Sequence, residues 1–359
     1  MAAGTSRRLY LDWLRGAAVL IMIEAHLLDA WTATAYRGER AYSLAMLVGG
    51  LGAPLFLFLA GVSVALSAAA RTRRGLAAPD ARRAIVRRGF QIFGLAFLFR
   101  AQACLLGWSS LWDLFKVDIL NIMGLAIAAA GTLWRVGRSV RTRAIVFGCV
   151  AAAVAFATPL VREAPIEALP DPVEAYLRPV GSLANFVLFP WAGFLFAGGL
   201  AGVILESVPA GRDRSAVTRI GLAGLMVAMI AYACSYLPSP YPTSRFWSTS
   251  PAYFFLQTGI LAAAILAAYA WGTRDPSGER WSPLRQLGRT SLFIYWIHVE
   301  MLYGLISRPL HASLSTREAL VAFLFFSAFM LLCSAAKEHV VKRWRGSAIA
   351  PLARAARQG

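Results

Sequence analysis

Carboxylates are scarce in this chain: 18 Asp and Glu face 36 Lys and Arg, and charged residues of all kinds make up only 15% of its 359 residues. A soluble domain carries about 25% charged residues, so this chain cannot clothe an ordinary water-exposed surface. Cysteine is rare too. Cys104, Cys149, Cys234 and Cys333 fall in or at the ends of apolar runs, with no CxxC or Cys/His spacing. That excludes a disulfide framework and predicts no metal site. There is no P-loop, no GxGxxG after a strand, no HExxH and no Ser-centred elbow, so nucleotide hydrolysis, redox and zinc chemistry lack support.

What the chain has instead is apolar sequence, 58% of it. Mostly apolar stretches recur near 14–34, 46–68, 86–106, 115–134, 144–160, 183–205, 216–237, 251–271, 287–306 and 319–337. Each is long enough to cross a hydrocarbon core of roughly 30 Å as a helix. The pattern predicts an all-α, multipass transmembrane bundle of about ten helices, forming a single integral-membrane domain over 1–359. With both termini cytoplasmic, 27 of the 36 Lys and Arg fall on the inner side and 9 on the outer, the bias of the positive-inside rule. The net charge of +18 is thus spent on anionic lipid headgroups and leaves no case for nucleic acid. Ser6-Arg7-Arg8 resembles a twin-arginine export signal, but Glu24, His26 and Asp29 do not suit a signal h-region, and the first helix is expected to be a retained anchor. Gly198 and Gly202 form a GxxxG suited to close helix packing, and Pro190 is expected to kink its helix.

Ionisable groups are costly in hydrocarbon and normally face a bundle interior or a wet cavity. The first span holds several. Arg15 and His26 are eleven residues apart, about three turns and about 16 Å, so they share a face. Asp12 lies one turn before Arg15, and Asp29 continues the stripe. Elsewhere Asp118 and Asn121 fall in the fourth span, and His298 and Glu300 in the ninth. His311 and His339 read as surface residues. Outer loops at 159–182, with Glu163, Glu167, Asp171 and Glu174, and at 237–243, with three prolines, could border an acceptor site. A neutral imidazole is suited to general-base work, and Asp29 or Asp118 could orient the His26 ring. Arg15, with Arg87 and Arg88 of the basic loop, could hold a phosphate-bearing donor, since Arg grips phosphate in a bidentate manner. The plainer alternative is a buried histidine bonded to a neighbouring helix as structural glue. A proton-coupled secondary transporter using the intramembrane His, Asp and Glu explains the buried charges as well, and a catalytically silent scaffold also stays open.

Five motifs in order carry a family resemblance. Leu11–His26 (LDWLRGAAVLIMIEAH) resembles the opening helix of the membrane acyltransferases related to heparan-α-glucosaminide N-acetyltransferase, and its Arg-to-His spacing is that of acyltransferase family 3. Gly52–Gly61 (GAPLFLFLAG), Val117–Gly124 (VDILNIMG), Phe189–Gly198 (FPWAGFLFAG) and Leu287–His298 (LGRTSLFIYWIH) resemble later family helices. The resemblance implies transfer of an acyl group, usually acetyl from cytosolic acetyl-CoA, to a glycan or similar acceptor on the far side of a bacterial-type inner membrane. It implies no metal. By the resemblance His26 becomes the catalytic histidine, and Asp12 and Arg15 donor-site residues. Beside it, the reading of the residues adds Asp29 and Asp118 as catalytic partners and Arg87, Arg88, Asn121 and His298 as donor- or substrate-binding residues. In heparan-type members the key histidine lies slightly later, and an Asn can stand at the position of His26. Here no histidine lies between His26 and His298, which favours His26 and argues against a heparan-like amine acceptor. The membrane lipids, acyl-CoA and the acceptor are the expected partners, and a homo-oligomer is left open.

Overall fold

The computed structural model describes residues 8–106, 109–134, 136, 139–166, 168–209, 212–275 and 280–355, with side chains up to 344. Ser6, Arg7 and Glu167 of the sequence reading lie outside the described residues. The chain is all-helical, 77% helix, with no strand among the described residues. Thirteen α-helices are described: α1 Leu9–Trp31, α2 Arg40–Gly49, α3 Gly52–Arg73, α4 Ala78–Leu105, α5 Ile119–Leu133, α6 Val140–Glu163, α7 Asp171–Glu174, α8 Leu188–Glu206, α9 Arg214–Cys234, α10 Pro251–Gly272, α11 Pro283–Arg289, α12 Ser291–Tyr303 and α13 Thr316–Ala355.

Every expected span finds a helix, but not every helix passes as a span on its own. Six described segments are long and apolar enough to cross a membrane: Arg40–Arg73, which joins α2 to α3, and α6, α8, α9, α10 and α13. The helices that fall short have physical reasons. α1 carries Asp12, Arg15, Glu24 and Asp29, and α4 carries Arg82, Arg83, Arg87, Arg88 and Arg100. α5 has 15 residues, and the ninth expected span is broken at Thr290 into α11 and α12, of 7 and 13 residues. In α8 the expected kink is present, with Phe189 outside helical φ/ψ just before Pro190.

The molecule divides into two compact units, one of Met1–Leu11 and Ala53–Pro276, the other of Asp12–Gly52 and Ser277–Gly359. In the first, small residues let helix backbones touch. A Cβ on Gly198 would lie 1.8 Å from the Phe58 carbonyl oxygen, and one on Gly61 would lie 1.9 Å from that of Leu195. α3 and α8 therefore meet with no room for a methyl group, as the GxxxG predicts. Gly89 and Gly124 do the same for α4 and α5, and Gly224 and Gly259 for α9 and α10. The segment before α1 is tied to the α8–α9 turn by Arg8. Its guanidinium donates two 2.9 Å bonds to the Asp213 carboxylate and reaches the Leu205 and Val208 carbonyls. Tyr10 donates to the same carboxylate at 3.1 Å.

In the second unit α1 lies backbone to backbone with α11. A Cβ on Gly16 would meet the Leu284 carbonyl oxygen at 1.8 Å, and a Cβ on Gly288 would meet that of Asp12 at 1.9 Å. α2 closes on α1 where Gly49 faces Ala25. Trp31 at the end of α1 donates to the Leu302 carbonyl and packs edge-on against Phe326 of α13. Because backbone lies on both sides of the α1–α11 contact, Gly288→Ala is expected to force the helices apart and cost about 1–3 kcal/mol. Thermal unfolding in detergent checks this, and an unchanged Tm would contradict the contact.

Candidate functional site

α1 presents its polar stripe within the second unit. Near its start, Arg15 Nη1 donates to Asp12 Oδ1 at 2.7 Å across one turn. Asp12 is buried at 1% exposure, while the Arg15 side chain keeps 27%. The buried carboxylate therefore aims a guanidinium that still has surface to offer an anion. The α1–α11 backbone contact holds Asp12 and Gly16 on either side of this pair.

Three turns on, His26 Nδ1 lies 2.9 Å from His298 Nε2, the rings stacked at 5.2 Å and 19°. His298 is fully buried, and its other nitrogen, Nδ1, lies 2.7 Å from the Ile294 carbonyl oxygen. A carbonyl only accepts, so His298 Nδ1 carries the hydrogen. In a neutral ring His298 Nε2 is then the acceptor, and the shared hydrogen must sit on His26 Nδ1. His26 Nε2 is then the unprotonated nitrogen of its ring. A backbone carbonyl of α12 thus fixes, through one histidine, the tautomer of another. His26 itself is only half-buried.

The carboxylate of Asp29, one turn beyond His26, accepts the Tyr303 hydroxyl at 2.8 Å. Arg37 lies 3.9 Å from the same carboxylate and donates to the Asp29 carbonyl at 2.7 Å. The Tyr303 ring meets His26 edge-on at 5.8 Å and 72°. Sequence reasoning named Asp29 but missed Tyr303, whose place at a helix end reads as an interfacial aromatic. His298 was a candidate without a known contact.

Asp118 and Asn121 belong to the first unit. Asp118 does not lie inside a span, as the sequence reading had it, but is the N-cap of α5. Its Oδ1 accepts from the Ile119 amide at 2.8 Å, and Asn121 Oδ1 accepts from the Asp118 amide at 2.9 Å, a capping box. The other oxygen takes a 2.8 Å bond from Arg100, one of the nine basic residues counted on the outer side and found at 9% exposure. Asn121 also donates to the Tyr176 hydroxyl at 3.3 Å. Burial raises the Tyr176 pKa above its ordinary value, against a smaller opposing effect of the Asn121 bond, so the phenol stays neutral at physiological pH. Arg87 and Arg88 are exposed on α4, also in the first unit. Glu174, read as a loop carboxylate free to border an acceptor, is buried and paired with Arg178. The proline-rich loop after α9 roofs a cavity of about 450 Å³, lined by Ile230, Tyr241, Phe246 and Phe255 with the Ser244 and Ser250 hydroxyls at hand.

Residues 7–232 match the family profile described as heparan-alpha-glucosaminide N-acetyltransferase, catalytic. No curated protein matches the chain. The matched stretch is well over half of the sequence and holds Asp12, Arg15, His26, Asp29, Arg87, Arg88, Asp118 and Asn121, while His298 and Tyr303 follow it. The match points to a membrane acetyltransferase, and the chain belongs to the heparan-alpha-glucosaminide N-acetyltransferase catalytic-domain family.

Proposed function

We propose that the chain transfers an acyl group, acetyl in the first instance, from cytosolic acyl-CoA to a glycan or similar acceptor on the extracytoplasmic side of a bacterial-type inner membrane. It does so as one domain of about ten spans with both termini cytoplasmic. The observation that carries this reading is the His26–His298–Ile294 relay, which sets the proton of a neutral His26 on Nδ1 and makes Nε2 the basic nitrogen. That nitrogen takes the proton of the acceptor O–H or N–H as the acceptor attacks the thioester carbonyl. The new C–O or C–N bond forms, the C–S bond breaks, and the proton passes to the departing CoA thiolate. The same lone pair could instead attack the thioester and carry the acyl group for a moment, and both routes end in the same products. His298 is a positioning residue here, since it acts through His26. Arg15, steadied by Asp12, supplies a cation for a donor phosphate.

Purified protein given acetyl-CoA is expected to release free CoA thiol beyond one equivalent only when an acceptor is present. Comparing surface-glycan acetylation in cells with and without the gene would identify that acceptor. The rival transporter predicts substrate flux across proteoliposomes with the thioester intact, and that outcome would overturn the acyltransferase reading.

A further inference from the structure

We propose that the cavity under the loop after α9 binds a membrane lipid with a net-negative phosphate headgroup, its chain inside the cavity and its phosphate at Arg245. The site lies wholly within the first unit and depends neither on His26 nor on acyl transfer. Its volume of about 450 Å³ falls in the range of about 300–1,000 Å³ usual for small-molecule sites. Phe156, Val227, Ile230, Leu237 and Phe255 make much of the wall, and no charged residue lines it. An ordered water needs about two to four polar partners, which such a wall does not offer to a cluster of waters. A sugar fares no better, because no carboxylate, amide or guanidinium lines the cavity to replace the water on its hydroxyls. Hydrocarbon is the filling that loses no hydrogen bonds.

The cavity also sits where a lipid can enter. Phe156, Ile230 and Leu237 line it and are 50%, 56% and 66% exposed. Phe156 and Ile230 belong to α6 and α9, both apolar enough to span, so the cavity borders a surface that faces hydrocarbon. Ile230 lies four residues before the end of α9, Phe255 four residues into α10, and Phe156 seven before the end of α6. At 1.5 Å per residue, these side chains are about 6–10 Å from the helix ends. Phe246, Trp247 and Tyr253 cluster nearby with ring centroids 5.1–5.3 Å apart, and Trp247 is exposed, as suits the level of the headgroups.

Hydrocarbon gains little by leaving the bilayer for an apolar cavity, so any choice among lipids must come from the headgroup. Arg245 stands between the lining residues Ser244 and Phe246 and is exposed. Among the described residues its guanidinium has no ion pair and no hydrogen bond, and it is the only charged residue from Ser235 to Ser250. The Glu163 carboxylate at the end of α6 is taken by the Thr243 hydroxyl. Ser239 and Ser250 accept from the Tyr241 and Ala252 amides at 3.1 and 3.2 Å, which leaves their O–H groups to donate. A guanidinium with hydroxyl donors beside it matches the oxygens of a phosphate.

The test uses the full-length protein in proteoliposomes containing phosphatidylglycerol or phosphatidylcholine with a photoreactive diazirine in the acyl chain, and maps the labelled residues by peptide mass spectrometry. Phosphatidylglycerol is expected to label Phe156, Ile230 or Phe255 about fivefold more than phosphatidylcholine, the preference that one arginine near a membrane surface supports. Arg245→Gln is expected to bring the two lipids to parity at unchanged Tm. Cys234→Trp and, separately, Ala252→Trp fill the cavity from two lining positions. Both are expected to abolish labelling there, while the exposed Leu324 and Phe325 of α13 are still labelled. Equal labelling by the two lipids, a preference that survives Arg245→Gln, or labelling that persists in a folded filled variant would each overturn the proposal. Displacement of the label by a water-soluble oligosaccharide would overturn it too, by making the cavity a glycan site. An active His26→Ala variant would sink the acyl-transfer mechanism and leave every one of these outcomes unchanged.

Discussion

His26→Ala is expected to lower acyl transfer by about 10²–10⁴-fold, the usual worth of a positioned general base, while the protein still folds. The side chain is half-buried and its ring nitrogen serves His298, so the substitution leaves one buried acceptor, His298 Nε2, without its donor. That costs about 1–3 kcal/mol, which a bundle of this size can absorb. Thiol release and thermal unfolding on the same preparation separate the two effects. His298→Phe makes the complementary case. It keeps the stacked ring and removes the acceptor, so the His26 hydrogen is free to move to Nε2 and mask the lone pair. The rate should fall by less than in His26→Ala, because the base is still there part of the time. A His26→Ala protein with native turnover would sink the mechanism.

Asp118→Ala should behave in the opposite way, with a large loss of stability and a smaller loss of chemistry. It strips the partner from Arg100, a buried guanidinium, and removing one member of such a pair costs about 3–5 kcal/mol. Loss of the α5 cap adds about 1 kcal/mol. Replacing both members with apolar residues, Arg100→Met with Asp118→Leu, should recover much of the loss, since the charge left stranded by the single substitution is then gone. Denaturation midpoints in detergent test this directly. A stable Asp118→Ala protein that no longer transfers acyl groups would make Asp118 a catalytic residue, as the sequence suggests.

The two cases show what the sequence could reveal. The polar stripe of α1 was legible because helical periodicity alone puts Arg15 and His26 on one face. The partner of His26 was not, because periodicity assigns a face to each helix but not which faces meet, and the contact joins residues 272 apart. Asp118 misled for a different reason. The apolar run around it begins upstream, so it reads as a charge within a span, although Asp118-Ile-Leu-Asn121 before a long apolar stretch carries the pattern of a helix start. Arg100 was counted on the outer side by the charge bias, which assigns a side of the membrane but neither burial nor a partner. Ten spans were expected, and six segments qualify by length and apolarity, because α1 and α4 carry several charges, α5 is short and the ninth span is broken at Thr290.

That last feature has a temporal side. α1 is too charged and α12, at 13 residues or about 20 Å, too short for hydrocarbon to accept readily as lone helices. A ribosome adding about 5–20 residues per second delivers His298 roughly 15–55 s after His26. Through that interval the stripe of α1 waits for the ring that fixes its tautomer. A chain interrupted before α12 would keep the whole family-matched stretch and still lack an ordered base. On the proposed mechanism, the pairing of the first helix with α12 makes the chemistry wait until α12 has been made.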